Sequence, residues 1–298
     1  MSMDNGKNDR RSLLMFIASM LIFGTIGIFR RQIPLPSALI ACVRGLLGGG
    51  LLLIVMWTKR GRSAVRERLP ARLVGNYVLT GAIMGVNWIL LFEAYEHTTV
   101  AIATLCYYMQ PTIVVLLSPF VFREKLTGKK GICAAVAIAG MVLVSGVADG
   151  GAQPAGNVRG ILLGLGAAVC YSAVVIMNKR ISGTDVWQKT VIQLLSAGGV
   201  MIPYLLLTGV GSVGSLEMKT IGLLLIVGIV HTGIAYMLYF GSMDGLKAQS
   251  IAILSYIDPV SALLFSALWL REPLSLAGII GAVMIIGSAI VSEMERKE

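Results

Sequence analysis

The chain has 298 residues, 56% of them hydrophobic and only 13% charged, with 35 Gly besides. An average soluble domain carries about 25% charged residues, so a soluble fold of this size has too little polar surface to cover so much apolar area. The bilayer is the solvent that fits. A net charge of +10 invites a nucleic-acid reading, because basic surfaces neutralise phosphates, and the placement of those charges decides that question.

In chain order, residues 1–11 form a polar tail with Lys7, Arg10 and Arg11. The apolar run 12–30 is longer than a signal-peptide core of about 7–15 residues and ends on Arg30-Arg31 rather than a small-residue cleavage site. It is read as an uncleaved first span. A spanning helix needs about 20 apolar residues. Hydrophobic runs bounded by charges or turn residues place further spans at 36–57, 73–94, 98–122, 129–147, 158–178, 188–208, 220–241, 246–270 and 276–292. The expected fold is an all-α integral membrane protein of ten transmembrane helices, with a linker at 149–157 and a second tail at 293–298.

With the N-terminus inside, nineteen Lys and Arg fall on the cytoplasmic side, six of them in the loop after span 2 (Lys59, Arg60, Arg62, Arg66, Arg68 and Arg72). The outer side holds five, Arg30, Arg31, Arg159, Lys219 and Arg271. The positive-inside bias therefore puts both tails in the cytoplasm and the protein in the plasma membrane. The basic excess is a topology signal that favours an anionic leaflet. Membrane lipid is then an expected partner and nucleic acid is not. The four cysteines lie in apolar runs without paired spacing, which excludes a disulfide framework and a Cys/His zinc site.

Sliding the chain by 148 residues brings Leu90, Phe92, Tyr108, Pro111, Leu116, Ser118, Arg123, Glu124 and Leu126 onto Leu238, Phe240, Tyr256, Pro259, Leu264, Ser266, Arg271, Glu272 and Leu274. The chain is thus two five-span halves, 12–148 and 158–292. Five is odd, so the halves enter the membrane with opposite orientation. The loops agree: the copy at Arg271-Glu272-Pro273 lacks the lysines that follow Arg123-Glu124, namely Lys125, Lys129 and Lys130. Inverted repeats of this kind are typical of secondary transporters, with substrate near the midplane. Fold alone does not fix function.

These same residues carry a resemblance. The run from Leu91 to Thr99, then Tyr107-Tyr108-Met109-Gln110-Pro111, then Phe122-Arg123-Glu124-Lys125-Leu126, is similar to the EamA repeat of the drug/metabolite transporter superfamily. So is the second half from Phe240 through Tyr256-Ile257-Asp258-Pro259 to Leu270-Arg271-Glu272-Pro273-Leu274. The resemblance implies a ten-helix metabolite or drug transporter, often an exporter, with a central cavity lined by spans 1, 3, 4, 6, 8 and 9. Arg44 matches an Arg often seen in the second span of that family.

Ionisable side chains inside spans are expensive and default to functional candidates. Asp258 lies near the centre of span 9 beside Pro259, and Gln110 and Pro111 hold the equivalent places in span 4. Both prolines are expected to kink their helices. Burial disfavours an ionised carboxylate, which makes Asp258 a candidate proton carrier; the other reading is an Asp that anchors the kink. Arg44 lies eight residues into span 2, about 12 Å from its outer end. It is read as holding a substrate carboxylate, snorkelling outward or, the favoured alternative, pairing with Glu93. Glu93 is also a coupling candidate, and Glu96 and His97 read as solvated. His231, near the middle of span 8, is a proton or ligand contact or a structural ring bonded to backbone.

Thr25, Asn87, Trp88, Tyr107, Tyr108, Tyr171, Tyr236 and Tyr239 fall at similar depth, and Tyr108 and Tyr256 precede their prolines by three residues. Aromatics with polar tips suit a cavity for an amphipathic solute. Trp57, Trp187 and Trp269 read as interfacial belts. Glycine pairs such as Gly45 with Gly49, Gly81 with Gly85, and Gly160 with Gly164 allow close helix approach, either internally or at a homodimer seam.

The expected function is alternating-access transport of a small metabolite, an amino acid or related solute, outward across the plasma membrane, with proton coupling as the mechanism to test. No cofactor or metal is expected. The alternatives are a drug or nucleoside exporter of the same fold, an uncoupled facilitator and an intramembrane enzyme. Proteolysis would need a zinc motif, paired aspartates or a Ser/His pair, and the chain has two His and one midplane Asp.

Overall fold

The computed structural model describes residues 2–30, 32–66, 69–98, 100–144, 158–181, 184–209, 217–270 and 275–293. Arg31, Arg68, the 149–157 linker, the 271–274 turn and residues 294–298 lie outside them, as do the side chains of Lys7, Lys59, Arg60, Arg62 and Arg66. Among the described residues all regular structure is helical.

The helices are α1 (Ser2–Arg30), α2 (Ser37–Arg66), α3 (Ala71–His97), α4 (Val100–Tyr107), α5 (Gln110–Phe122), α6 (Gly128–Val144), α7 (Val158–Arg180), α8 (Val186–Thr208), α9 (Met218–Gly228), α10 (Ala235–Ser242), α11 (Ala248–Leu254), α12 (Ile257–Leu270) and α13 (Leu276–Glu293). Eight helical stretches among the described residues are long and apolar enough to cross a membrane, and Leu276–Ser292 is a shorter apolar helix. The segment expected as span 5 is α6, seventeen residues opening on Lys129 and Lys130. Large apolar side chains such as Leu207 and Phe120, 88% and 84% exposed, point out of the bundle, as a lipid-facing surface requires.

Helices associate in lipid through close packing rather than the hydrophobic effect, and the glycines supply it. On α3, a Cβ at Gly81 would lie 2.7 Å from Gln193 Cα and 2.8 Å from Ser196 Cβ of α8, and one at Gly85 would lie 2.6 Å from the Ala197 carbonyl. Gly45 and Gly49 of α2 meet Leu194 and Leu195, and Gly160 and Gly164 of α7 meet Thr98 and Cys106. All three glycine faces thus pack inside the bundle.

Three interruptions shape its centre. Pro111 and Pro259 have no amide hydrogen to continue the helix ladder, and the chain breaks just before each. Met109 N–H donates to the Cys106 carbonyl (3.1 Å) in one break, and Tyr256 N–H to the Ile253 carbonyl (3.2 Å) in the other. The expected continuous span 8 instead carries a π-helical turn, Ile229–Ile234, between α9 and α10. Thr232 Oγ1 donates five residues back to the Val227 carbonyl (2.9 Å). Gly48 of α2 presses against this turn, where a Cβ would lie 2.8 Å from the Gly228 carbonyl and 2.9 Å from Gly233 N.

One end of the bundle gathers Lys179 and Lys189, whose ammonium groups donate to the carbonyls of Met243 (2.8 Å) and Phe240 (3.5 Å) at the C-terminal end of α10. Cations there complement the helix dipole. Arg11 and Asp244 share a cleft at the same end. This end is called the basic face below.

Candidate functional site

Aromatic rings from α1, α3, α4, α7 and α10 meet at mid-depth. Tyr107 stacks on Tyr171 (centroids 5.7 Å, 14° between planes), and Tyr171 stacks on Tyr239 (6.5 Å, 21°). Phe23 stands edge-on to Tyr236 at 5.0 Å, and Phe16 leans on Tyr239 at 5.4 Å. Offset and edge-on contacts suit the quadrupoles of the rings. Tyr107, Tyr108, Tyr171, Phe23, Thr25, Arg44 and Asp258 keep part of their surface accessible at this depth, whereas Trp88, Asn87, Gln110, His231, Tyr236, Tyr239 and Tyr256 are buried behind them. The first set is therefore the more accessible to a solute and the second packs beneath it.

The two proline breaks cross here. Tyr108 OH donates to Asp258 Oδ2 (3.0 Å), joining the break of one repeat to that of the other. The repeat mate of Tyr108, Tyr256, does something different. Its hydroxyl donates to the Tyr108 carbonyl (3.1 Å) and lies 3.2 Å from Thr112 Oγ1. Gln110, the mate of Asp258, is buried; its backbone carbonyl lies 3.2 Å from Ser172 Oγ, which is closer to the Ala168 carbonyl (2.7 Å), and its side-chain Nε2 has no partner in the protein. Repeat-related positions therefore carry unlike chemistry: a tyrosine-bound carboxylate on one side and an unsatisfied amide on the other.

Arg44 does not pair with Glu93. Its guanidinium lies over the Trp88 ring, 4.7 Å from the centroid, and its Nε has no hydrogen-bond partner. A cation over an indole face is held by the ring quadrupole, which leaves the remaining donors free for an anion. Glu93 instead accepts from Tyr204 OH of α8 (2.6 Å) and lies 3.9 Å from His97 Nε2, one turn on. Tyr236 is within electrostatic reach of both Arg44 and Asp258.

His231 sits in the π-helical turn with Nε2 2.9 Å from Thr25 Oγ1 and its ring 4.8 Å from Phe29. The Thr25 hydroxyl also reaches the Ile22 carbonyl (2.7 Å). A hydroxyl has one proton to give, so with it on Ile22 the imidazole Nε2–H is the donor to Thr25. Asn87 Nδ2 donates to the Ala167 carbonyl (2.7 Å), tying α3 to α7, and its Oδ1 has no partner. Among the described residues no group of three His, Cys, Asp or Glu side chains could hold a metal. Trp57 and Trp269 are exposed, while Trp187 packs against the core.

Sequence reasoning missed Phe16 and Phe23, because a Phe in an apolar span looks the same whether it faces lipid or cavity. It also missed the π-helical turn, for which the crowded Gly228 and Thr232-Gly233 are the only signal. A separate cleft of about 600 Å³ lies at the basic face between α1, α2, α8 and α10, lined by Met15, Leu51, Val55 and Met237 with Arg11 and Asp244. Trp187 also lines it, and none of the cavity or coupling candidates does.

The model of the EamA-like transporter family matches residues 10–146 and again 158–294. The chain is 28% identical to an uncharacterized transporter of Bacillus subtilis (strain 168), YxxF, over 98% of this chain and 93% of that one. It is 26% identical to the protein PecM of Dickeya dadantii (strain 3937), over 91% and 88%. It is 29% identical to a probable amino-acid metabolite efflux pump of Escherichia coli (strain K12), over 74% and 76%. A solved structure described only as a protein crystal structure superposes with a TM-score of 0.83 at 21% identity, covering 96% of this chain and 99% of its own. That likeness concerns the fold alone.

Proposed function

Because the chain belongs to the EamA-like transporter family, and is thereby a multi-pass membrane transporter, we propose that it exports a small zwitterionic metabolite, an amino acid or a close relative, by alternating access. In this reading ten spans form two inverted repeats, 12–148 and 158–292, with both tails in the cytoplasm, and the protein resides in the plasma membrane. Relatives that are named probable amino-acid metabolite efflux pumps favour this solute class and direction.

The observation that carries the reading is Arg44, a cation inside a span with a donor that no protein group uses, in a bundle that also holds the carboxyl of Asp258 at the second helix break. Arg44, held over Trp88 with unused donors, suits a carboxylate, since a guanidinium binds carboxylates bidentately. Asp258 suits an ammonium. The rings of Tyr107, Tyr108 and Tyr171, which keep accessible surface, take up the apolar part of the solute. A proton arriving on Asp258 removes the charge that holds the ammonium, so protonation and release of the solute are linked at one group.

The test is counterflow in proteoliposomes. Vesicles loaded with unlabelled amino acid should accumulate the labelled form transiently and saturably, and Asp258→Asn should abolish the drive by a pH gradient. Linear, non-saturable entry would indicate a channel, and gradient-driven flux unchanged in Asp258→Asn would remove the coupling role. A second reading rests on the near-parallel Tyr107, Tyr171 and Tyr239 rings, a surface suited to a planar drug or nucleobase. A thermal-shift screen against amino acids, nucleosides and cationic drugs separates the two, because bound ligand raises the melting temperature by mass action.

A further inference from the structure

The two repeats are alike in sequence and unlike in burial. The 148-residue register places α4 on α11. Every residue of α11 is buried, while residues 104–108, at the end of α4 and in the break after it, all keep accessible surface. α11 packs along α5 of the other repeat, and among the described residues α4 and α12 show no comparable packing. Between α5 and α11 the bundle is thus closed toward the basic face, beside the cleft of α1, α2, α8 and α10, while residues 104–108 keep accessible surface in the other half.

The seal has a named fastening. The Glu124 carboxylate accepts two hydrogen bonds from the first turn of α11, Ala248 N–H to Oε1 (2.8 Å) and Gln249 N–H to Oε2 (3.2 Å). First-turn amides have no partner within their own helix, and a carboxylate is their strongest acceptor. Beside it the Gln249 side chain donates to Ser118 Oγ of α5 (2.9 Å). Arg123, which ends α5, is the one non-glycine among the described residues with positive φ (56°). That conformation, disfavoured for a side chain with a Cβ, turns the chain so that Glu124 faces α11. Lys179 is within electrostatic reach of Glu124 while it donates to the Met243 carbonyl, so the ends of α5, α7 and α10 converge where α11 begins.

We propose that Glu124 is the latch of the basic face: its carboxylate clamps the first turn of α11 to the corner after α5, and letting go of that turn is the step that opens the cavity on this side. Both bonds join the corner after α5 to the first turn of α11, so they favour this conformation over one in which that contact is broken, by their net strength after exchange with water. The inference rests on the alternating-access reading and adds a positioning residue remote from Arg44 and Asp258.

Cys106 of α4 and Leu254 of α11 are repeat mates in the same register and serve as matched reporters. In protein with Cys42, Cys133 and Cys170 replaced by Ala, Cys106 is labelled with a soluble maleimide in nanodiscs, where both faces are reachable. Leu254→Cys is labelled in the same background with Cys106→Ala. With Glu124 present, Cys106 should react readily and Leu254→Cys slowly. Glu124→Ala should speed Leu254→Cys by about tenfold or more, the factor expected for one charge-assisted hydrogen bond, and slow Cys106. Glu124→Gln, which keeps the shape and loses the charge, should shift both in the same directions by less. Unchanged rates at both reporters overturn the latch, and so do rates that rise together, which mark general loosening. Counterflow by the unsubstituted protein on the same preparation separates the two levels. Transport with unshifted labelling counts against the latch alone, whereas absent transport counts against the functional reading and leaves the labelling result standing.

Discussion

Replacing Gly81 by Ala should destabilise the protein, and the size of the effect follows from what the new methyl would meet. It would lie 2.7 Å from Gln193 Cα and 2.8 Å from Ser196 Cβ, against an ordinary carbon–carbon contact of about 3.5–4.0 Å. The nearest atoms belong to the α8 backbone, so no side-chain rotation relieves the clash and α3 must move away from α8 by about 1 Å. Overpacking of this kind costs about 1–3 kcal/mol, offset in part by the gain of up to about 1 kcal/mol for Ala over Gly within a helix. Gly75, on the same helix, has nothing within 4 Å of its added Cβ, so Gly75→Ala receives the helical gain without the clash. Thermal unfolding of purified protein in one detergent should place Gly81→Ala several degrees below the parent and Gly75→Ala level with it or above. Equal melting temperatures for the two variants would refute the claim that α3 and α8 are held by backbone contact at this glycine.

Three further outcomes follow from the site. Tyr256→Phe should lower the melting temperature by the loss of its bonds at the helix break, about 1 kcal/mol, while Tyr108→Phe should chiefly reduce pH-gradient-driven counterflow by freeing Asp258; the reverse pattern would exchange their roles. Thr232→Val removes the hydroxyl that bonds the Val227 carbonyl inside the π-helical turn and should cost about 1 kcal/mol, read by thermal unfolding; no loss would mean the turn is held by Gly48 packing alone. Arg123→Gly should relieve a left-handed backbone worth about 1–2 kcal/mol and raise the melting temperature, and a fall would show that the Arg123 side chain matters more than its backbone.

The membrane class and the doubled repeat were legible because solvation by lipid is a bulk property that composition reports and because two prolines keep one register. The helix breaks were legible for the same reason: a residue without an amide hydrogen acts locally. Arg44 was found as a buried charge but its neighbour was not, since the rotation of α2 against α3 turns the guanidinium to Trp88 while Glu93 meets Tyr204 from α8. No one-dimensional pattern encodes that rotation. Glu124 reads in sequence as one more loop charge between Arg123 and Lys125, and it becomes a helix cap only through the backbone conformation of Arg123. His231 stood out by chemistry, yet the π-helical turn that aims it at Thr25 has no periodicity to announce it.

The central claim is that Arg44 and Asp258 divide the recognition of one zwitterion between them. The most direct measurement is competition for counterflow by three analogues of the best amino-acid substrate: the intact zwitterion, its amide lacking the carboxylate, and its deaminated acid lacking the ammonium. Each is titrated against the parent protein, Arg44→Gln and Asp258→Asn. The account predicts that Arg44→Gln weakens the zwitterion and the deaminated acid but leaves the amide unaffected. It also predicts that Asp258→Asn weakens the zwitterion and the amide but leaves the deaminated acid unaffected. Loss of affinity that is uniform across the three analogues in either variant would contradict it.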